Sequence, residues 1–209
     1  CSGDGLMKRK CYDSYDYIDP NNLYTYPDSS VLRNKQEERD EQKARDLEYR
    51  MVASKSLKLF INPIPVYSVK DILKIHQFLF EDMYHWAGEF RKVNISKSGN
   101  AFMPIQSFDT ALTYLNNLID RFHDNANSRK EVIQLLVEIL DNLNYFHPFR
   151  EGNGRTQREV IRSLALMKGY ECEISIGDND EIYHLYMDGT VYGDKTKLTK
   201  LFEKIIVKC

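Results

Sequence analysis

The chain has 209 residues, of which 42% are hydrophobic and 29% charged, and its formal net charge is −2. This composition is typical of an ordinary globular protein with one core. The small net charge gives no electrostatic reason to expect binding to nucleic acid or to an anionic membrane. No stretch reaches the roughly 18 apolar residues of a membrane span, and no apolar segment follows the basic residues at the start. We therefore expect neither a membrane anchor nor a secretory signal.

The cysteines follow no metal-binding or disulfide pattern. Four are present, without the short spacings of metal sites, and two of them are the terminal residues: Cys1, Cys11, Cys172 and Cys209. We expect reduced thiols and a cytoplasmic protein. The residues before Met7 are expected to be a remnant of cloning.

The first third of the chain is predicted to be a tyrosine-rich lead followed by a long helix. In residues 12–34 the tyrosines lie among Asp, Asn and Pro, which predicts a segment that packs on the domain or, equally, a loose arm: Tyr12, Tyr15, Tyr17, Tyr24 and Tyr26. Residues 36–60 predict a helix with charges on one side and four apolar residues on another: Leu47, Met51, Val52 and Leu57. A capping box of Ser68 and Asp71 then predicts a second helix.

A β-hairpin is predicted in the next block. Residues 93–103 alternate in polarity around the pair Gly99-Asn100, which favours a turn between two short strands. Taken alone, this pattern indicates an edge hairpin with no particular role.

The second half is predicted to be helical. Apolar periodicity indicates a helix over residues 107–125, and a capping box of Ser128 and Glu131 begins the next one. A fifth helix is predicted from about Asn153 to Gly169, and two closing helices over residues 178–190 and 195–207. The alternation of Cys172, Ile174 and Ile176 predicts a short strand between them.

The loop between the fourth and fifth predicted helices combines residues suited to phosphate chemistry. It reads HPFREGNGRTQR and covers residues 147–158. Its glycines allow a sharp turn with consecutive backbone N–H groups, and the N-terminus of the following helix adds the positive end of its dipole. Glu151 is a suitable ligand for Mg²⁺, and His147 can accept a proton near neutral pH. The loop therefore predicts a site for a phosphorylated ligand.

The arginines after the glycines complete this pattern. At about 100° per residue, Arg155, Arg158 and Arg162 share one helical face, and we expect all three to face the site. Each piece alone has an ordinary explanation: a turn for the glycines, a core position for Phe149 and a solvated face for the arginines. Their combination at fixed spacing is far more specific than any one of them.

The combination resembles the motif of the Fic family, His-x-Phe-x-Asp/Glu-Gly-Asn-Gly-Arg-x-x-Arg, at every fixed position. The resemblance implies a mainly helical Fic fold that transfers AMP from ATP to a hydroxyl of a target protein and releases pyrophosphate. It implies that His147 is the base that deprotonates the target and that Glu151 holds Mg²⁺ or Mn²⁺. It also implies that five residues bind the phosphates: Gly152, Asn153, Gly154, Arg155 and Arg158. Phe149 is implied to anchor the loop in the core.

The resemblance extends to most of the chain, with residues 1–35 as a lead and 36–209 as the Fic domain. It implies that the hairpin is a flap that aligns the target by strand addition. The flap residues are Lys97, Ser98, Gly99, Asn100, Ala101 and Phe102. Tyr183 matches an adenine pocket by position, although a tyrosine on an amphipathic helix is more often a core residue.

Other functions remain open at this point. The chain could be a non-catalytic binding module with this fold, or it could transfer another nucleotide-linked group. Fic proteins are often inhibited by a glutamate that pairs with the second motif arginine, here Arg158. The best internal match, Thr199 with Glu203, departs from the inhibitory motif at Lys204, so a separate small antitoxin is the preferred source. The site of action is expected to be the bacterial cytoplasm or, alternatively, a host cell.

Overall fold

The structure is a computed structural model that describes residues 16–17, 19, 21–97, 99–177 and 180–209. Tyr12, Tyr15 and Ser98, on which some predictions fall, lie outside the described residues. Within these ranges the chain forms seven α-helices: α1 Glu41–Ile61, α2 Val69–Phe80, α3 Phe108–Asn125, α4 Arg129–Phe146, α5 Asn153–Met167, α6 Asp180–Val191 and α7 Lys195–Ile205.

The strands are short. β1 Asp16–Tyr17, β2 Ile95–Lys97 and β3 Asn100–Ala101 form an antiparallel sheet in that order, and β4 Tyr170–Glu171 pairs with β5 Val207–Lys208. The predicted fold class, mainly helical with a small β-hairpin, is confirmed. β1 was not predicted, because its partner strand lies nearly 80 residues further along the chain.

Local sequence signals define the helix starts. Both predicted capping boxes form, since Ser68 pairs with Asp71 and Ser128 with Glu131 at the first turns of α2 and α4. α1 begins at Glu41, five residues later than predicted, because the Asp40 side chain caps it by accepting from the Lys43 N–H.

The core lies around α4 and α5. α4 packs against α3, α5 and α7, and its residues Leu136, Ile139 and Leu140 are fully buried. α5 buries its predicted apolar face, which includes Val160 and Ile161. Because both flanking helices are fixed by this core, the loop that joins them is held in one conformation. None of the helices in the described ranges is long and apolar enough to cross a membrane.

The tyrosine-rich lead packs on the domain where it is described. Tyr24 and Tyr26 are buried, and the Tyr24 hydroxyl accepts a hydrogen bond from the Lys92 N–H at 2.9 Å. Tyr24 also contacts Trp86 edge to face. The alternative of a loose arm is therefore wrong for these two residues.

Three local predictions are wrong. The strand at Cys172, Ile174 and Ile176 does not form; β4 lies just before it and pairs with β5. α7 ends at Ile205, two residues earlier than predicted, because Val207 enters that same pair. Leu57 is 64% exposed, whereas the other three apolar residues predicted for α1 face the core: Val52 is buried, and Leu47 and Met51 pack against it.

Candidate active site

The loop after α4 is shaped by two left-handed residues and one side-chain staple. His147 ends α4 with a φ of 45°, and Gly152 precedes α5 with a φ of 81°. Between them, the buried Asn153 side chain accepts from the Phe149 N–H at 3.0 Å and donates to the Phe149 carbonyl at 2.7 Å. Asn153 thus closes the loop with its side chain, so that only its backbone N–H can take part in an anion site at the start of α5.

His147 is buried in a defined tautomer. Its Nδ1 lies 2.9 Å from the carbonyl oxygen of Asn144, which can only accept, so Nδ1 carries the proton and Nε2 carries the lone pair. The ring stacks on Phe102 of the flap at 3.7 Å. Burial, and then the charges of Lys97 and Arg91, lower the pKa of His147 from 6.5 to about 3. The imidazole is therefore neutral at physiological pH.

Glu151 and Arg155 lie side by side at the start of α5. The Glu151 carboxylate accepts from the Gly152 N–H at 2.9 Å and lies 3.7 Å from the Arg155 guanidinium. Arg155 also forms a 2.6 Å ion pair with Glu48 of α1, whose carboxylate accepts from the Tyr84 hydroxyl as well. Arg155 is thus held between two carboxylates, those of Glu48 and Glu151, which contact the same guanidinium nitrogen.

Arg162 does not face the site, contrary to prediction. Its guanidinium donates to the Leu59 carbonyl at 2.7 Å and to both carboxylate oxygens of Glu159. It lines a second groove of about 210 Å³, which includes Ser56 of α1 and which Arg155 and Arg158 also border. The helical angle was correct, but Arg162 lies one turn, about 6 Å, beyond Arg158, where the end of α1 covers the face.

One cavity of about 720 Å³ brings most of the predicted residues together. The motif lines it with His147, Glu151, Gly152, Gly154, Arg155 and Arg158, and the flap with Lys97, Asn100 and Phe102. Its opposite wall is largely apolar and includes Ile176, Tyr183, Tyr186, Met187 and Val191. Asn153, Gly99 and Ala101 are not part of the lining. The cavity therefore combines the charged residues around the glycine loop with a largely apolar wall.

Two buried residues, Arg91 and His76, form hydrogen bonds to the backbone of the loop. Neither of them was assigned a function from the sequence. Arg91 donates to the carbonyls of His147 and Val93, each at 2.8 Å, and to that of Met103, and so ties the base of the flap to the loop. His76 accepts from the Gly88 N–H at 2.8 Å, so its Nε2–H donates to the Glu151 carbonyl at 3.0 Å.

His76 is also fixed by stacking and by its charge state. Its ring stacks on Phe149 at 3.7 Å, and Phe149 is buried as predicted. Burial, together with the Arg155 charge, lowers the pKa of His76 to about 3. The order His, Trp and Arg in residues 76–91 was visible in the sequence, but nothing local showed that these residues meet the loop.

A neutral buried base, a helix N-terminus, a carboxylate and two arginines around one cavity define a helical protein that binds a phosphorylated ligand. Comparison with known proteins identifies its family. The family model described as Fic/DOC family matches residues 66–165. The probable protein adenylyltransferase Fic of Escherichia coli (strain K12) is 26% identical over 186 residues, which cover 88% of this chain and 91% of that protein.

A second relative supports the same family. The probable protein adenylyltransferase y4lH of Sinorhizobium fredii (strain NBRC 101917 / NGR234) is 30% identical over 152 residues, covering 72% of this chain and 78% of that one. Among solved structures, BepC of Bartonella tribocorum with bound AMPPNP has a TM-score of 0.76 at 21% identity, covering 90% of this chain and 98% of that one. The latter likeness supports the fold. The chain belongs to the Fic/DOC family.

Proposed function

We propose that this chain transfers AMP from ATP to a hydroxyl group of a target protein and releases pyrophosphate. The enzyme class is that of its family relatives, which are named protein adenylyltransferases. The observation that carries the proposal is the neutral His147, whose Nδ1–H is taken by the Asn144 carbonyl in the cavity that also contains the glycine loop. Its Nε2 is then the atom that accepts the proton of the attacking hydroxyl.

The phosphates would bind at the start of α5. The backbone N–H groups of Asn153 and Gly154 belong to the first turn of α5, the positive end of the helix dipole, where an anion is stabilised. The Gly152 N–H, which donates to the Glu151 carboxylate in this structure, would turn to the phosphates when Glu151 binds the metal. Arg155 and Arg158 line the same end and would neutralise the outer phosphates and the departing pyrophosphate. AMP transfer requires this charge stabilisation, because negative charge develops on the leaving oxygen.

Glu151 is the proposed metal ligand. It is the acidic residue of the cavity lining in the described part of the chain, and one carboxylate plus phosphate oxygens is a usual ligand set for Mg²⁺. A bound Mg²⁺ or Mn²⁺ would neutralise the α- and β-phosphates. The Glu151 backbone is fixed by His76, so the carboxylate starts from a defined position. Replacing Glu151 by Ala should then reduce transfer as strongly as EDTA does.

The flap would present the target. β3 is the edge of the described sheet, with β2 on its inner side, and Asn100 and Ala101 are exposed. An extended target segment can therefore add to β3 through main-chain hydrogen bonds. Phe102, next to this edge, stacks on His147, which would bring the target hydroxyl to the base.

Control is proposed to come from a separate antitoxin. Glu203 of α7 is exposed, and its backbone carbonyl accepts from Arg129 at 2.8 Å. Thr199 lines a different groove, with Arg121 and Lys195. No described residue of α7 lines the cavity that contains Arg158, which favours a partner protein as the source of an inhibitory glutamate. Since ATP is the substrate, we place the reaction inside a cell: the bacterial cytoplasm or, alternatively, a host cell.

Labelled nucleotides test the proposal. The protein is incubated with a cell lysate and ATP labelled in the α- or in the γ-phosphate, with labelled GTP, UTP and CDP-choline as alternatives. Label from the α-phosphate alone should enter protein and depend on Mg²⁺ or Mn²⁺. Label from the γ-phosphate would indicate phosphate transfer, and labelling by none of the nucleotides would indicate a binding module; either result contradicts the proposal.

A further inference from the structure

Gln157 is a buried polar residue in the wall of the cavity. The nitrogen of its side-chain amide forms hydrogen bonds, and the oxygen forms none with the described part of the chain. Gln157 is 3% exposed and lies on α5, three residues after Gly154. Its Nε2 donates to the Tyr186 hydroxyl at 2.6 Å and to Asn144 Oδ1 at 3.4 Å. Its Oε1 is buried and has no hydrogen-bond partner within the described residues. A buried acceptor without a donor is uncommon and costs about 1–3 kcal/mol.

The neighbouring Asn144 determines which atom of the Gln157 amide is without a hydrogen bond. Asn144 Nδ2 donates to the Thr190 carbonyl at 2.9 Å, so Asn144 must turn its oxygen toward Gln157. If the Gln157 amide were reversed, its oxygen could accept from the Tyr186 hydroxyl but would also face the Asn144 oxygen, and those two acceptors would repel. The hydrogen bonds from Thr190 through Asn144 therefore orient the Gln157 amide so that Nε2 faces Asn144. Oε1 is then the atom that can accept a hydrogen bond from another donor.

The position of Gln157 shows which part of a nucleotide could supply that donor. Gln157 lies about 4.5 Å along α5 from Gly154, just under one helical turn, and about 100° around the helix from Arg158. It therefore lines a different part of the cavity wall from the arginines. On the other side its partner Tyr186 belongs to the largely apolar wall of the cavity. Gln157 thus lies between the glycine loop and the largely apolar wall, where we expect the nucleobase. In a nucleotide the group between phosphate and base is the ribose, and its hydroxyls are its hydrogen-bond donors.

We propose that Gln157 Oε1 accepts a hydrogen bond from a ribose hydroxyl of the bound nucleotide and so selects ribonucleotides over deoxyribonucleotides. This inference deepens the proposed function, since it assumes that a nucleotide occupies the cavity. Loss of the hydroxyl would leave Oε1 unsatisfied in the complex, whereas the ribonucleotide satisfies it. Sites built around such an acceptor discriminate against the analogue that lacks the donor.

The test measures dissociation constants by calorimetry with ADP, 2′-deoxy-ADP and 3′-deoxy-ADP, which avoids turnover of ATP. The wild-type protein should bind at least one deoxynucleotide about tenfold more weakly than ADP, as expected for one buried hydrogen bond. Gln157→Met keeps the length of the side chain and removes the acceptor. It should weaken ADP about tenfold and leave that deoxynucleotide within twofold, so that discrimination disappears.

Two controls separate recognition from structural effects. Tyr186→Phe removes a partner of Nε2 but leaves Oε1, so discrimination should persist; Gln134→Leu, on the exposed side of α4, should change nothing. Inosine diphosphate lacks the 6-amino donor of adenine. Its affinity relative to that of ADP should be reduced by the same factor in the wild type and in Gln157→Met.

Three results would overturn the inference. The first is that the wild type binds both deoxynucleotides as tightly as ADP, a result that needs no variant. The second is that Gln157→Met weakens all nucleotides alike, which would assign Gln157 a structural role. The third is that it removes discrimination against inosine diphosphate instead, which would place the acceptor at the base. Failure of the wild type to bind ADP at all would contradict the proposed function as well.

Discussion

Gly152 is the position where an added methyl group should cost most. Its φ of 81° lies in the left-handed region, and a β-carbon there would lie 2.3 Å from Cζ and 2.4 Å from Cε2 of Phe80. Phe80 is fully buried, stacks on His76, and has the Arg155 guanidinium 4.7 Å above its ring. The ring therefore cannot move without displacing residues that support the phosphate site.

The cost of Gly152→Ala has two parts. The left-handed conformation costs an alanine about 1–2 kcal/mol, and overpacking against Phe80 adds about 1–3 kcal/mol. Gly169→Ala is a matched control, since Gly169 has a φ of 79° and no atom within 4 Å of the added carbon. Gly169→Ala therefore has only the conformational cost and no cost of overpacking. The entropy that alanine removes from the unfolded chain is the same for both and cancels in the comparison.

Urea unfolding at neutral pH, followed by circular dichroism, measures both variants. We expect Gly152→Ala to lower the free energy of unfolding by about 1–3 kcal/mol more than Gly169→Ala does. In folded protein, Gly152→Ala should also weaken ADP binding, because relief of the clash displaces Arg155 or the loop. Equal free-energy losses for the two variants, with unchanged ADP affinity, would refute the view that Phe80 packs against the loop to set its shape.

Three further predictions concern pH, the flap and control. Because His76 and His147 are buried with pKa values lowered from 6.5 to about 3, the unfolded chain binds protons below pH 6.5 that the folded chain does not. Stability present above pH 6.5 should therefore fall by about 1.4 kcal/mol per histidine between about pH 7.5 and 5.5, and His76→Asn should remove half of this pH dependence in urea titrations. Asn100→Pro, which fixes φ and deletes a donor, should reduce labelling of target proteins far more than it reduces ATP binding. Glu203→Gly should leave the transfer rate nearly unchanged.

Each of these predictions has an opposing result. Stability that is flat over this pH range would show that the two histidines are not held neutral. Full target labelling by the Asn100→Pro protein would remove strand addition from the mechanism. A rise in transfer of tenfold or more on Glu203→Gly, about 1.4 kcal/mol of barrier, would show that the chain carries its own inhibitor.

The parts of the site that could be predicted are those encoded by neighbours in sequence. The motif places His147, Glu151 and Arg155 within nine residues, so one loop and one helix start bring them together. The capping box of Ser128 and Glu131 was predictable for the same reason, because it uses only the first turn of its helix. Such features depend on local backbone geometry rather than on the rest of the fold.

The residues that could not be predicted come from distant elements. Glu48 meets Arg155 across about 100 residues of chain, and Arg91 meets the His147 carbonyl across 56. Helical periodicity correctly placed Arg162 on the same face of α5 as Arg158. It could not show that the last turns of α1 cover that face and bind Arg162. The strand predicted at Cys172 failed because a strand needs a partner edge, and β5 pairs one step earlier.

If His147 removes the proton of the target hydroxyl in an AMP transfer, loss of its side chain should stop transfer without preventing ATP binding. The most direct measurement compares wild type with His147→Ala for ATP affinity and for the incorporation of α-labelled AMP into protein. ATP should bind to both proteins with similar affinity, because the phosphate site is built from other residues, while transfer should fall by about 10²-fold or more in the variant. Comparable incorporation by the two proteins would contradict the account, since no base would then be needed at this position.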